Sequence, residues 1–396
     1  MTHSKTPGLS VSAAFAGCVL LSFALGSIHA FSVLLQPFEL SLAVNRAEAS
    51  LLYSFALVML TVAVLLGHRI YGRISSPLLV FVIGIMAAFG VLLAAWSRQW
   101  LVAMLGYSIC FGFANGLGYG FALQFSAQVA ASRKGMAMAA VTAVYAFGAF
   151  LFVFILQYAK NAGGLATALY SLCLALLLLI SASALLMKLS GRRYAASGGV
   201  EQRRNVGNAS QQWFLWGAYG LACLSGLMVI GHATGVMQAV GAERAMVTLA
   251  PALIAVANMV GGLSAGILAD RLPVERLLKI LPAIGAGALL MTVFGHTISL
   301  TLLGLLLVGA SYGAIIAVYP VAVYQRVGAE ASARIYGRVF TAWGLAGLLG
   351  PWLAGMMYDY YREYRVALLV AAGAAVVSIL LVRKLHSRPG NMESAS

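Results

Sequence analysis

Continuous apolar runs recur along the whole chain, and they restrict it to one kind of fold. The first is Ser12–Phe38. Eleven more follow at Glu48–Leu66, Leu78–Ala95, Trp100–Phe125, Met136–Gln157, Leu165–Met187, Phe214–Val240, Val247–Leu268, Leu277–Phe294, Leu300–Val323, Tyr336–Met357 and Val366–Val382. These lengths suit a helix that crosses a bilayer, which needs about 17–25 residues. Inside hydrocarbon every backbone N–H and C=O must be paired within the protein, which leaves only helices or a closed barrel. Barrel strands alternate polar and apolar residues, and these runs do not. The prediction is therefore an all-α polytopic membrane protein with twelve transmembrane helices. Composition agrees. The chain is 62% hydrophobic and 9% charged, whereas a soluble domain carries about 25% charged residues.

Ala16-Gly17-Cys18 resembles a lipoprotein cleavage site, but most of the apolar stretch follows it. An uncleaved first span is expected. The four cysteines, Cys18, Cys110, Cys173 and Cys223, all fall in apolar runs. They are read as packing residues, not disulfides or metal ligands. The longest polar segment, Lys188–Gln212, is rich in Gly, Ser, Asn and Arg and reads as a linker. It divides the chain into an N-terminal six-helix half, 1–187, and a C-terminal six-helix half, 213–396, with a short tail.

The net charge of +15 has a topological reading. Of the 25 Lys and Arg residues, 19 fall in segments on the side of the termini. The other six, Arg46, Arg98, Lys160, Arg244, Arg362 and Arg365, fall on the opposite side. The positive-inside bias then puts both termini in the cytoplasm of a multi-pass inner-membrane protein. The basic rim faces anionic headgroups, and no nucleic-acid partner is expected. The count leaves no Lys or Arg for the membrane midplane.

The first and seventh spans carry a loose repeat. One reads HAFSVLLQ from His29 to Gln36 and the other HATGVMQ from His232 to Gln238. Ser22 and Ser225 stand seven residues before the histidines. On a continuous helix, about two turns would put Ser, His and Gln on one face. A repeat that pairs the first helix of each half suits a duplicated transporter.

The loop after the eighth span reads Gly266-Ile-Leu-Ala-Asp270-Arg271, with Arg276 beyond. It resembles the signature of the major facilitator superfamily, G-x-L-x-D-R with a later basic residue. The resemblance implies a fold of two pseudo-symmetric six-helix halves. It also implies a conformational clamp at Gly266, Asp270, Arg271 and Arg276 that holds helix ends and breaks on switching. The loop after the second span, GHRIYGR from Gly67 to Arg73, is a degenerate copy without an acid.

GLGYG at Gly116–Gly120, GLMVIGH at Gly226–His232 and YGRVFTAWGLAGLLGP at Tyr336–Pro351 resemble the oxalate/formate antiporter branch, related to the monocarboxylate porters. That branch implies exchange or proton-coupled movement of small carboxylates by alternating access. The substrate-facing arginine and lysine of its oxalate exchanger fall here on Gly262 and Trp343. A dianion such as oxalate would meet no fixed counter-charge at the midplane, where charge is expensive.

The histidines of the repeat are then the candidate coupling groups. A histidine, with an ordinary pKa of about 6.5, can pair with a carboxylate when protonated and release it when neutral. His232 and His29 are read either in this way or as neutral rings bonded to a neighbouring helix. Trp343 is read as a pocket wall or as interhelical packing. Gln36, Gln238, Tyr119, Gln124, Tyr145, Asn258 and Tyr312 complete the candidate solute contacts, with Asn115 and Tyr319 as further polar groups in spans. Each can equally be an interhelical hydrogen bond.

The glycines from Gly112 to Gly120 follow no strand and precede no Gly-Lys-Ser/Thr. They suit close helix packing, not a nucleotide loop. No catalytic triad, zinc spacing or ATP motif is present in the sequence, so no enzyme, metal or cofactor is expected. The expected partners are a small solute, a proton as candidate coupling ion, and the lipid bilayer. No obligatory protein partner is expected. The function read from the sequence is secondary transport of a small organic monocarboxylate. The alternative is an exporter of neutral or lipophilic compounds.

Overall fold

The computed structural model describes residues 7–195, 209–269, 271–295 and 297–385. Of residues 7–9, 209–210 and 327–334 only the backbone is described. Eleven helical segments in these residues are long and apolar enough to cross a membrane. The longest, Ala131–Ser190, is interrupted at Gly163 and Gly164. Gly164 sits at φ 74° and ψ −161°, a conformation that essentially only glycine adopts. The break yields the fifth and sixth spans, at 134–162 and 165–190, and the predicted total of twelve. No strand occurs among the described residues.

The remaining spans follow the sequence. The second is Arg46–Tyr71, the third Ser76–Trp96 and the fourth Trp100–Val129. The eighth is Arg244–Ala269, the ninth Val274–Phe294 and the tenth Ile298–Arg326. The eleventh is Ile335–Tyr361 and the twelfth Arg365–Arg383. Capping sets some boundaries. Asn45 accepts from the Glu48 backbone N–H while the Glu48 carboxylate accepts from Asn45 N–H, which closes a capping box at the start of the second span.

The first and seventh spans are not continuous helices. The first runs as Pro7–Leu25, a 3-10 turn at Gly26–Ala30, then Ser32–Leu42. The seventh runs as Ala209–Ile230, a break at Gly231 and His232, then Ala233–Ala239. Both breaks fall at the histidine of the repeat. The shared face expected of Ser, His and Gln needs an unbroken helix, and the breaks remove it.

Glycines let the helices approach. A Cβ on Gly116 would lie 2.1 Å from the Leu60 carbonyl oxygen of the second span. The GLGYG stretch is therefore a packing surface, as its sequence context suggests.

The first six spans pack mainly on one another, and so do the last six. The two sets meet chiefly where the second span lies along the eleventh and the fifth along the eighth. The end of the molecule away from residues 7 and 385 is called the distal end below. Contacts between the sets begin there, at Arg46 and Asp359, and run along the second span through Ser50 and Gly355 and through Leu57 and Gly347. Thr61 against Gly344 lies deeper still.

Candidate functional site

Ser50 and Tyr53 lie one helical turn apart on the second span, and each receives one histidine of the repeat. His29 Nδ1 lies 2.6 Å from the Tyr53 hydroxyl. His232 Nε2 lies 3.2 Å from Ser50 Oγ. The two histidines come from the first and seventh spans and converge on this stretch.

His232 is buried and forms a directed chain of bonds. Its Nε2 lies 2.8 Å from the Pro351 carbonyl oxygen. A carbonyl only accepts, so Nε2 carries the proton. In the neutral ring Nδ1 is then the acceptor, and it takes a bond from the Tyr364 hydroxyl at 3.2 Å. The Tyr364 oxygen accepts in turn from Arg46 Nη1 at 2.7 Å. Arg46 is paired with Glu39 through both carboxylate oxygens, one of them at 2.9 Å from Nη2. Its guanidinium also lies 4.0 Å from the centroid of the Tyr358 ring. The Asp359 carboxylate accepts from the backbone N–H groups of Arg46 at 3.1 Å and Ala47 at 2.7 Å. Glu39, Arg46 and Ser50 come from the first two spans; His232, Pro351, Asp359 and Tyr364 come from the last six. The network is thus a lock across the distal end.

Electrostatics suits this arrangement. Tyr364 lies between spans, and burial raises its hydroxyl pKa, against the opposing pull of Arg46. The phenol therefore stays a donor at neutral pH. A second proton on His232 would turn Nδ1 from acceptor into donor. It would compete with Arg46 for the Tyr364 oxygen and set an imidazolium near a guanidinium.

His29 is half-buried and sits among rings. The Tyr145 ring lies edge-on at 5.4 Å and Tyr53 at 6.1 Å. Tyr145 donates to Asn115 Oδ1 at 2.9 Å, and Asn115 Nδ2 donates to the Leu25 carbonyl at 2.6 Å, just before the 3-10 turn. Tyr119 packs 4.7 Å from Tyr145. Its hydroxyl lies 3.3 Å from Thr142 Oγ1. From the last six spans, Trp343 stacks on Phe340 at 5.3 Å and donates to the Tyr312 hydroxyl at 2.8 Å. The Tyr312 ring lies against Gly226 of the seventh span. No Lys or Arg belongs to this cluster.

The other predicted residues are dispersed. Gln238 donates to Gln36 at 3.4 Å, so the two glutamines of the repeat meet across the distal interface. Gln124 accepts from Tyr194 at 2.6 Å, near the end of the fourth span away from the distal end. Asn258 packs against Gly313 of the tenth span. Ser22 donates to the Val141 carbonyl at 2.7 Å, and Ser225 to that of Ala222 at 2.8 Å.

Of the clamp residues, Asp270 lies outside the described residues. Gly266 faces open space, and Arg271 and Arg276 make backbone turns. The ion pair observed near this loop joins Arg326 to Glu275 at 3.2 Å, between the tenth and ninth spans. All four cysteines are free. No group of residues suited to a metal ion occurs among the described residues.

The sequence offers Arg46 at the membrane face only as a topology charge, and it assigns no site role to Glu39, Ser50, Tyr53, Asp359 or Tyr364. The closeness of Glu39, Arg46 and Glu48 around one short connection, and of Asp359, Glu363 and Arg365 around another, is the available signal. Their pairing spans more than 300 residues of chain.

Comparison with known proteins bears on the fold. The family model of the Major Facilitator Superfamily matches residues 215–395. An uncharacterised MFS-type transporter of Escherichia coli (strain K12), YhjX, is 27% identical over 342 residues, covering 84% of each chain. Among solved structures, a bacterial homologue of the human lysosomal transporter Spinster superposes with a TM-score of 0.72 at 13% identity. It covers 98% of this chain and 100% of its own. The Escherichia coli xylose transporter XylE gives 0.70 at 14% identity, over 94% of this chain and 97% of its own. This multi-pass membrane protein thus has the fold of the major facilitator superfamily transporters.

Proposed function

We propose that the chain is a secondary active transporter of a small organic monocarboxylate, working by alternating access between its two six-helix halves, 1–187 and 213–396. The positive-inside bias puts both termini in the cytoplasm and the distal end outside the cytoplasmic membrane. One observation carries the reading: the first helix of each half breaks at a histidine, and both histidines meet the second span one turn apart. His29, ringed by Tyr53, Tyr119 and Tyr145, receives the carboxylate with Trp343 and Tyr312 opposite. His232 senses the proton. Its second proton weakens the lock through Tyr364 and Arg46, so proton binding and distal opening are linked. The absence of Lys and Arg from the aromatic cluster around His29 favours a monoanion over a dianion.

A second reading, export of neutral or lipophilic compounds, draws on the same uncharged aromatic cluster of Trp343, Phe340, Tyr119 and Tyr145. Changed drug sensitivity on deletion or overexpression would favour it.

The test is uptake of labelled lactate, formate, oxalate and an aromatic carboxylate into proteoliposomes, with and without an inward proton gradient. Gradient-driven uptake of monocarboxylates but not oxalate is expected. His29→Ala should abolish uptake. His232→Ala should leave exchange while removing its dependence on the gradient. If the wild type moved no carboxylate at any pH, the reading would fail and the exporter would take its place.

A further inference from the structure

The distal end also holds a recess of about 430 Å³ that neither histidine cluster uses. Gln36 and Lys160 line it from the first six spans, and Gln238 and Arg244 from the last six. No acid belongs to its lining. Glu243 precedes Arg244 in sequence but is not part of the wall, and Glu39 is engaged by Arg46. Lys160 Nζ has one partner, the Val33 carbonyl at 3.5 Å. Neither Lys160 nor Arg244 enters an ion pair among the described residues. Both line the same recess, one from each set of six spans, so their like charges confront each other there.

Two like charges on opposite halves oppose the closure that brings them together. Screening by salt weakens this repulsion but does not remove it at short range. An oxygen-bearing anion between them would turn the repulsion into two attractions, each a charge-assisted hydrogen bond. The amides of Gln36 and Gln238 stand beside them as neutral donors.

We propose that the recess binds an anionic oxygen group, carboxylate, sulfate or phosphate in type, which bridges Lys160 and Arg244 and holds the distal end shut. Its source is either a soluble anion or a lipid headgroup. The lining comes from both halves, so the site exists only in the closed arrangement. The ligand then favours that arrangement by its differential affinity. This inference is independent of which solute is carried.

The experiment follows distal closure in purified full-length protein by pulsed electron resonance. Spin labels are placed at Gln99→Cys and Tyr360→Cys, exposed distal positions outside the recess. Sodium sulfate is titrated against sodium chloride at constant ionic strength in neutral-lipid nanodiscs. Sulfate should raise the ratio of short to long distances saturably, by about five-fold or more, the lower end of ordinary coupling between sites. Lys160→Gln and Arg244→Gln should each abolish the response, and each should raise the short-distance population without sulfate because the repulsion is gone. Lys160→Arg should keep the response. A short-distance population that is higher in phosphatidylglycerol than in neutral-lipid nanodiscs without sulfate, with that lipid difference unchanged by chloride or dilution but lost in Lys160→Gln with Arg244→Gln, would identify a lipid headgroup as the anion. No saturable sulfate response in the wild type, or an equal response in both glutamine variants, would overturn the proposal.

Discussion

Tyr364 joins two charged or polar systems through one oxygen. It accepts from Arg46 and donates to His232, so its replacement by phenylalanine strands both partners while keeping the ring. A buried donor or acceptor left without a partner costs about 1–3 kcal/mol. Tyr364→Phe should weaken the distal lock by that amount, and the distal spin-label pair should show the long-distance population rising. Unchanged distances would mean that the phenol only packs. The residue scale is also where sequence reading was weakest. The histidines were legible because an ionisable ring in an apolar run is conspicuous. Arg46, Asp359 and Tyr364 were not, because short loops at a membrane face carry charge in any topology. Only the fold brings residues 46 and 364 to hydrogen-bonding distance.

At the scale of elements, the hydropathy pattern predicted the spans to within a few residues, since backbone pairing in lipid admits no other solution. It did not predict the two interruptions. A helix break costs little in hydropathy, and both flanking pieces stay apolar. The loose match of HAFSVLLQ to HATGVMQ marked the right places, but it was read as a shared helical face. Glycines at crossings were more legible. Gly116 has no room for a side chain against Leu60, and overpacking a tight crossing costs about 1–3 kcal/mol or more. Gly116→Leu should lower the unfolding midpoint and the yield of folded protein. Gly266→Leu, where the added carbon meets open space, should leave both unchanged. Equal behaviour of the two variants would contradict the packing role.

At the scale of the whole molecule, the two sets of six spans are fastened at one end. The distal lock and the pairs from Ser50 to Gly344 set that polarity. The loop with Arg271 and Arg276 lies at the other end, beside the Arg326–Glu275 pair. If the Asp270 signature acts as a clamp, its task is switching. Asp270→Asn should then slow turnover by about ten-fold, equivalent to 1.4 kcal/mol on the barrier, while solute affinity measured at equilibrium stays nearly constant. Equal transport rates would remove the clamp assignment. The twelve-span fold could be read from sequence because hydropathy is a local quantity. The fastening of one end could not, because it is a property of pairs.

The breaks at His29 and His232 divide each of these spans into a long stem and a short arm. The arms are unequal, 11 residues at Ser32–Leu42 and 7 at Ala233–Ala239. At 1.5 Å per residue they extend roughly 16 and 10 Å, so the same 20° tilt at each break moves their tips by roughly 6 and 4 Å. Each histidine thus sits at the fulcrum of a lever. If the distal end opens by swinging these levers while the stems stay seated, it should widen unevenly, further on the side of the longer arm.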